Sequence, residues 1–555
     1  MRARSEVAAW GRRTRQVVGF AAATGLVTGL GVAGFEWLTR FQMFNRLLRA
    51  PLPLQAIAPL CGLLLAAVAL RVLARGAGRA TTDEYIRNFH QIGTRLDPRP
   101  VRGRLVASVA TLGFGGAMGY EGPSIYLGAS LGSALQQRFS RYFSREDAKL
   151  LMVCGAAAGI SAIFKAPATG LVFALEVPFQ DGFAGRMVLP AGIASAVSYL
   201  AFVAITGTTP LFGVSGSPPF DLQDLVGAAV VGALCGIGAR LFSVGLHLGR
   251  HHAKKLHPYV AAAIAGTVLA GLVVLSDHLF GRPLTLGAGY NSMGWALDPS
   301  RAVLLVLALL GLRTLATIFT VAGGGVGGLF IPLVIEGALL GRAIGGIFRP
   351  DTDSVLFPLL GASAFLGAGY RVPLSGVVFV AETTGRPGFI VPGLIATMVA
   401  QLFMGRTSVS DSQVQARAGH LQRRAALPLT SALRPDMPTV APGTTLADFY
   451  EHHLLAHREL LVPVVDGPTY VGVILVDELK AVPRAEWGSV TVAERMKRDF
   501  PVAPVDWTLH DALAAMEAED VDLLPVVHDG AFVGVVTTTA ILELDEILRR
   551  TSDEE

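Results

Sequence analysis

Charge is scarce in this chain of 555 residues. Only 16% of positions are Asp, Glu, Lys or Arg, against roughly 25% in a soluble globular protein, and 52% are apolar. Mean hydropathy is +0.52. A fold that is soluble throughout is excluded. Cysteine is scarcer still. Cys61, Cys154 and Cys235 each sit inside an apolar run, which excludes a disulfide framework and a Cys-rich zinc module. Each reads as a small buried hydrophobe. The 64 Gly and 31 Pro keep no three-residue period, so the chain is not collagen-like.

What is present is long apolar sequence. Such segments recur at 17–39, 52–74, 104–135, 150–177, 188–206, 224–249, 259–280, 302–321, 328–348, 356–383 and 389–404. A helix needs about 20 apolar residues to cross a bilayer core. Several segments exceed that and are interrupted by Gly or Pro, as broken or tilted helices are. The reading is a multi-span helical membrane protein. Residues 1–16 carry Arg2, Arg4, Arg12, Arg13 and Arg15 and read as a basic juxtamembrane segment. The apolar run behind them is too long for a secretory signal and lacks a cleavage pattern. The positive-inside rule then expects a cytoplasmic N-terminus.

Charge changes sign along the chain. Residues 1–410 hold 34 Lys and Arg against 18 Asp and Glu, and residues 411–555 hold 12 against 24. A joint break in charge and hydropathy marks a domain boundary. The expected organisation is a transmembrane domain over 17–410, a linker over 411–430 with Arg417, Arg423 and Arg424, and a soluble α/β tail.

Both parts contain a repeat. Residues 155–176 read GAAAGISAIFKAPATGLVFALE and residues 361–382 read GASAFLGAGYRVPLSGVVFVAE. They align ungapped at 206 positions' separation and share nine of 22 residues, among them Pro167/Pro373, Gly170/Gly376 and Glu176/Glu382. Matched Pro, Gly, basic and acidic positions exceed what apolar composition yields. Ahead of them lies a second matched pair, GYEGP at 119–123 and GLFIP at 328–332. Two related halves with interrupted helices in corresponding places point to an inverted-repeat transport fold with its site at the repeat interface. In the tail, residues 461–479 align with residues 523–541. Each unit, 431–486 and 490–548, is expected to run strand, Gly turn, strand and helix start, behind a helix opened by Thr445-Leu446 or Thr508-Leu509.

A charge at membrane depth costs about 2.5–3.5 kcal/mol even on a lenient scale, so each one is a functional candidate. Glu121 leads them. It lies in GFGGAMGYEGPSIYLG, where Pro123 suits a first helical turn. A helix starting there offers unpaired N–H groups and the positive end of its dipole, and Gly328–Pro332 offers the same device from the other half. Two such starts near the midplane hold an anion without a formal positive charge. The Glu121 carboxylate then competes as a tethered anion that leaves when protonated. Lys165 and Arg371, each two residues before the matched Pro, are read beside Glu176 as pathway-lining. They either raise anion concentration in the vestibules or snorkel at a helix end.

These residues resemble the CLC family of chloride channels and proton-coupled anion transporters. GYEGP is similar to the family's gating-glutamate segment, GLFIP to its GxFxP segment, and the tail to the paired CBS modules of many members. The resemblance spans roughly 17–545 and implies a homodimer in the lipid bilayer with a pore in each subunit. It also implies that the amides of Tyr120, Glu121 and Gly122 line an outer anion site and those of Leu329 and Phe330 a central one. The CBS pair falls in the cytoplasm, and short loops with few Lys suggest a bacterial plasma membrane.

The departures matter. The family's GSGIP segment aligns with RATTD at 79–83, so its anion-contacting serine becomes Ala80, with Thr81 and Thr82 the nearest hydroxyls. Its C-terminal tyrosine falls near Ser410. The internal proton glutamate of coupled members aligns with Val177, which relays no proton. Anion transport, chloride-type, is therefore expected to be passive or weakly proton-coupled. A proton-coupled antiporter using a water path and a ligand-sensing, CBS-regulated transporter are the alternatives. In the tail the nucleotide-contacting Thr and Asp positions hold Leu475 and Glu478 in one unit and Thr537 and Ala540 in the other. Adenine nucleotide binding is thus half-supported, and ligand-free dimerisation is the leading role. No metal, enzyme activity or nucleic-acid partner is expected. Gly128-Ala-Ser130-Leu-Gly132 fits a nucleophile-elbow pattern but lies in an apolar helix, where small residues form packing faces.

Overall fold

The computed structural model describes residues 2–75, 77–91, 96–143, 149–212, 221–298, 300–348, 355–414, 427–454, 461–519, 521–541 and 543–544, the side chains of 2–14 and 186 excepted. Arg417, Arg423 and Arg424 lie outside the described residues. The chain divides into two compact units, Met1–Ala416 and Arg417–Glu555.

The first unit is helical. Eight helices among the described residues are long and apolar enough to cross a membrane. The first begins at Arg2 and continues through a π-helical stretch, Trp37–Phe44, as far as Leu47, beyond the end expected at 39. Three of the long segments expected to be broken or tilted are pairs of helices. They are Val101–Gly113 with Glu121–Arg138, Leu150–Phe164 with Pro167–Glu176, and Leu356–Gly369 with Pro373–Thr384. The repeat explains the last two breaks. Lys165 and Arg371 take left-handed φ values of 53° and 56°. Each is followed by a residue forced out of the helical region by the next Pro, and that Pro opens the second helix.

One pair of residues ties the two halves back to back. Gly119 and Gly328 exchange backbone hydrogen bonds of 2.9 and 2.8 Å in an antiparallel bridge, which places a local two-fold axis between them. Contacts repeat across that axis. The Thr111 hydroxyl accepts from the Val326 N–H at 3.0 Å, and the Thr320 hydroxyl accepts from the Ala117 N–H at 3.1 Å. Glu176 accepts from the N–H groups of Leu374 and Ser375, at 3.1 and 2.9 Å, at the start of Pro373–Thr384. Glu382 does the same for Ala168 and Thr169, at 2.9 and 2.8 Å, at the start of Pro167–Glu176. Each half thus caps a broken helix of the other.

The second unit holds five strands: β1 (Leu461–Asp466), β2 (Thr469–Leu475), β3 (Ala503–Pro504), β4 (Leu523–His528) and β5 (Ala531–Thr537). They form one sheet in the order β1-β2-β5-β4-β3. The β4–β5 turn has positive φ at Asp529 and Gly530, the Asp-Gly chemistry of a tight hairpin. The expected strand–turn–strand units are present, but their leading segments are exchanged. Leu429 and Ala432 pack with Leu509 and Ala512 in the second unit's core. Val492 packs with Val440, Leu446 and Phe449 in the first. Of the expected linker, 411–414 belong to the membrane unit, and Gln413 donates to the carbonyls of Val177 and Tyr370.

Removing either reciprocal cap leaves two helix-start N–H groups without their partner, those of Leu374 and buried Ser375 for Glu176 and those of Ala168 and buried Thr169 for Glu382. Glu176→Ala and Glu382→Ala are each expected to cost about 1–3 kcal/mol, read as a drop of several degrees in the unfolding midpoint in detergent.

Candidate functional site

Helices Glu121–Arg138 and Phe330–Phe348 both start beside the Gly119–Gly328 pair, so their free N–H groups converge on one point. The Glu121 side chain fills it. Its Oε1 accepts from the N–H of Phe330 at 2.7 Å and of Ile331 at 3.4 Å. The residue is 1% exposed, and Oε2 has no hydrogen-bond partner among the described residues. The two glycines make this approach feasible: a Cβ on Gly119 would fall 1.9 Å from Oε2, and one on Gly328 would fall 2.0 Å from Oε1. The carboxylate therefore rests on the Phe330 and Ile331 amides, and of the Leu329 and Phe330 pair expected to line an anion site only Phe330 donates to it.

The Leu329 N–H lies instead within reach of the Tyr370 hydroxyl, which sequence reasoning missed. Tyr370 is buried, its ring edge-on to Phe173 at 5.7 Å. The Phe330 ring packs on Phe164 and Phe379 at 4.7 Å each and on Phe173 at 5.1 Å. This apolar shell lowers the local dielectric, which strengthens the pull of amide dipoles on a small anion. The signal for Tyr370 was in the repeat: it occupies the place of Phe164, and its hydroxyl is the difference.

The remaining expected positions divide. Tyr120 and Gly122 lie buried at the same helix start. Thr81 packs against Gly122, where a Cβ would come within 2.6 Å of its hydroxyl, and that hydroxyl donates to the Gly327 carbonyl at 3.3 Å. Ala80 is half-buried and brings no polar side-chain group. Ser410 donates its hydroxyl to Asp83 at 2.5 Å, so it faces that carboxylate rather than the paired amides. Val177 is fully buried.

The structure shows what the three residues expected to line the pathway are bonded to. Glu176 is a helix cap, as described above. Lys165 donates to the Gly207 carbonyl at 2.7 Å, at the end of Val188–Thr206. Arg371 donates to the Gly405 carbonyl, at the end of Ile390–Met404, and pairs with Asp181. A cation on the last carbonyls of a helix is favoured by its dipole, so both are the helix-end alternative. Lys165 also comes within electrostatic range of Arg40 and Glu36. Arg40 was missed. It projects from the π-helical stretch, pairs with Glu36 at 2.7 Å and lies 5.3 Å over the Tyr290 ring, which is in electrostatic range of Glu121. A π turn shifts the helical register, so a periodic reading of segment 17–39 does not aim Arg40 at the site.

Inverted halves, broken helices and a carboxylate seated on converging helix starts define a membrane transporter built for small anions. A family model described as voltage gated chloride channel matches residues 61–405, and a CBS domain model matches residues 491–546. The chain belongs to this CLC family and carries a C-terminal CBS domain. It is 30% identical over 338 residues to the H(+)/Cl(-) exchange transporter ClcA of Citrobacter koseri, covering 56% of this chain and 69% of that one. With the ClcA of Salmonella typhi it shares 29% over 336 residues, 57% of this chain and 70% of the other. Among solved structures it is similar in fold to a slow cyanobacterial Cl-/H+ antiporter, with TM-score 0.62, 21% identity and coverage of 70% and 94%. A CLC-type fluoride/proton antiporter gives TM-score 0.63, 20% identity and coverage of 73% and 98%. A eukaryotic CLC transporter gives TM-score 0.58 and 16% identity over 94% of this chain and 97% of that one.

A hydrogen bond to a charged group contributes about 1.5–3 kcal/mol. If the Tyr370 hydroxyl turns to donate to an anion held on the Leu329 amide, Tyr370→Phe weakens chloride binding about tenfold or more in titration calorimetry. Unchanged affinity removes Tyr370 from the site.

Proposed function

We propose that this chain exchanges a small monovalent anion, chloride-type, for protons, with Glu121 as the gate. The observation that carries this is the Glu121 carboxylate on the Phe330 and Ile331 amides, the place a transported anion would take. An arriving anion and the carboxylate compete for the same donors. Once displaced, Glu121 takes a proton, and Oε2 is the oxygen open to it. The exchange activity in the names of the curated relatives agrees with this reading. Passive conduction is the second reading, and the apolar, fully buried Val177 favours it. We further propose a homodimer with one pathway per subunit in a bacterial plasma membrane, the N-terminus and the CBS pair being cytoplasmic. The CBS pair then acts in dimerisation, with adenine nucleotide as a regulatory ligand to be tried.

Proteoliposomes loaded with chloride, with external pH recorded during efflux, test the gate. Wild type is expected to drive protons inward against their gradient. Glu121→Gln should keep chloride efflux, raise it at neutral pH, lose the proton movement and flatten its pH dependence relative to wild type. A Gln variant matching wild type in flux and pH profile would remove Glu121 as the gate. Valinomycin-dependent efflux without proton movement in wild type would select the passive reading.

A further inference from the structure

A second acid lies along the same line. Asp83 stands in the first turn of helix Thr82–His90, two residues beyond Thr81 at the Gly122 contact. Its Oδ1 accepts the Ser410 hydroxyl at 2.5 Å, a bond between segments 327 positions apart. Ser410 is 6% exposed and is itself fixed: its N–H donates to the Ser408 hydroxyl and its hydroxyl accepts from the Ser412 N–H, both at 3.2 Å. Tyr370 lies within electrostatic range of both Glu121 and Asp83. Tyr370 thus has Glu121 and the Ser410-bound Asp83 both in its surroundings. The chain crosses with its first helix and returns with Leu52–Val72, so Asp83 belongs to the side on which the first helix begins.

The cations near Asp83 are engaged elsewhere. Arg87, on the same helix, pairs with Glu84 at 3.2 Å. Arg250, from Leu222–Ala253, donates to the Val409 carbonyl at 3.1 Å and pairs with Asp411 at 3.4 Å. Arg79 donates to the Val321 carbonyl at 2.6 Å. The other charged or titratable groups around it are Asp411, from the segment that carries Ser410, His247, which pairs with Asp411 at 3.2 Å, and Tyr370. No direct ion pair to Asp83 exists among the described residues. A negative charge there opposes any anion approaching the Leu329 and Phe330 amides from that side.

We propose that Asp83 is a second protonatable gate, latched by Ser410 across the end of the pathway opposite Arg40. Water on that face delivers a proton from hydronium to the free carboxylate oxygen. One O–H bond forms, the repulsion ends, and the neutral side chain lets the anion pass or swings aside. The inference rests on the proposed route past Glu121, and the test separates the two.

Chloride efflux is measured against pH in a Glu121→Gln background, where the outer acid no longer titrates. Efflux from Glu121→Gln should still rise several-fold on acidification. Adding Asp83→Asn should make efflux independent of pH and several-fold faster at neutral pH. A Glu121→Gln profile already flat, or a residual dependence that survives Asp83→Asn, overturns the inner gate. A Glu121→Gln variant indistinguishable from wild type instead overturns the route itself. If Asp83→Asn elutes as aggregate in size exclusion, Ser410→Ala in the same background replaces it. That variant keeps the acid and frees it, so neutral-pH efflux should rise several-fold. No change in rate or profile overturns the latch.

Discussion

Two helix starts held back to back by the mutual hydrogen bonds of Gly119 and Gly328 govern the rest of the membrane unit. Each start exposes N–H groups that have no partner within their own helix, and a bilayer offers no water to satisfy them. Their dipoles point the same way, toward the pair. Something negative must fill the point of convergence, and Glu121 fills it from one half while Phe330 supplies the amide from the other.

The same shortage of water explains four other charges in the membrane unit. Breaking a helix creates free N–H and C=O groups, and this chain closes them with long polar side chains from the opposite half or from its own far end. Glu176 and Glu382 cap starts, Lys165 and Arg371 cap ends, and Thr111 and Thr320 tie the two loops. All of these come in symmetric pairs. The groups around the converging helix starts break the symmetry: Glu121 stands where the other half has Phe330, and Tyr370 where it has Phe164. A polar residue whose repeat counterpart is equally polar is holding the fold, whereas one whose counterpart is apolar is available for transport. That criterion reassigns Lys165, Arg371 and Glu176 and promotes Tyr370.

In the tail, symmetry is used differently. The two hairpins, β1–β2 and β4–β5, share register and bulge position, but each core is completed by residues that precede the other hairpin. Neither unit buries its core without the other, which makes the pair one folding body and moves its working boundaries away from the repeat boundaries.

The membrane class, the two halves, the position of the Glu121 carboxylate at a helix start, the paired helix starts and the strand–turn–strand tail were all legible in the sequence. They depend on composition, on spacing between Gly, Pro and acidic positions, and on ungapped repeats, which are properties of neighbouring residues along the chain. Partnerships across hundreds of positions were not legible: Glu176 with Ser375, Ser410 with Asp83, Gln413 with Val177, or Arg40 turned toward Tyr290 by a π-helical stretch. A charge in an apolar run announces that it needs a partner. Which partner it finds depends on where broken helices leave their free backbone groups in space, and only the tertiary structure decides that.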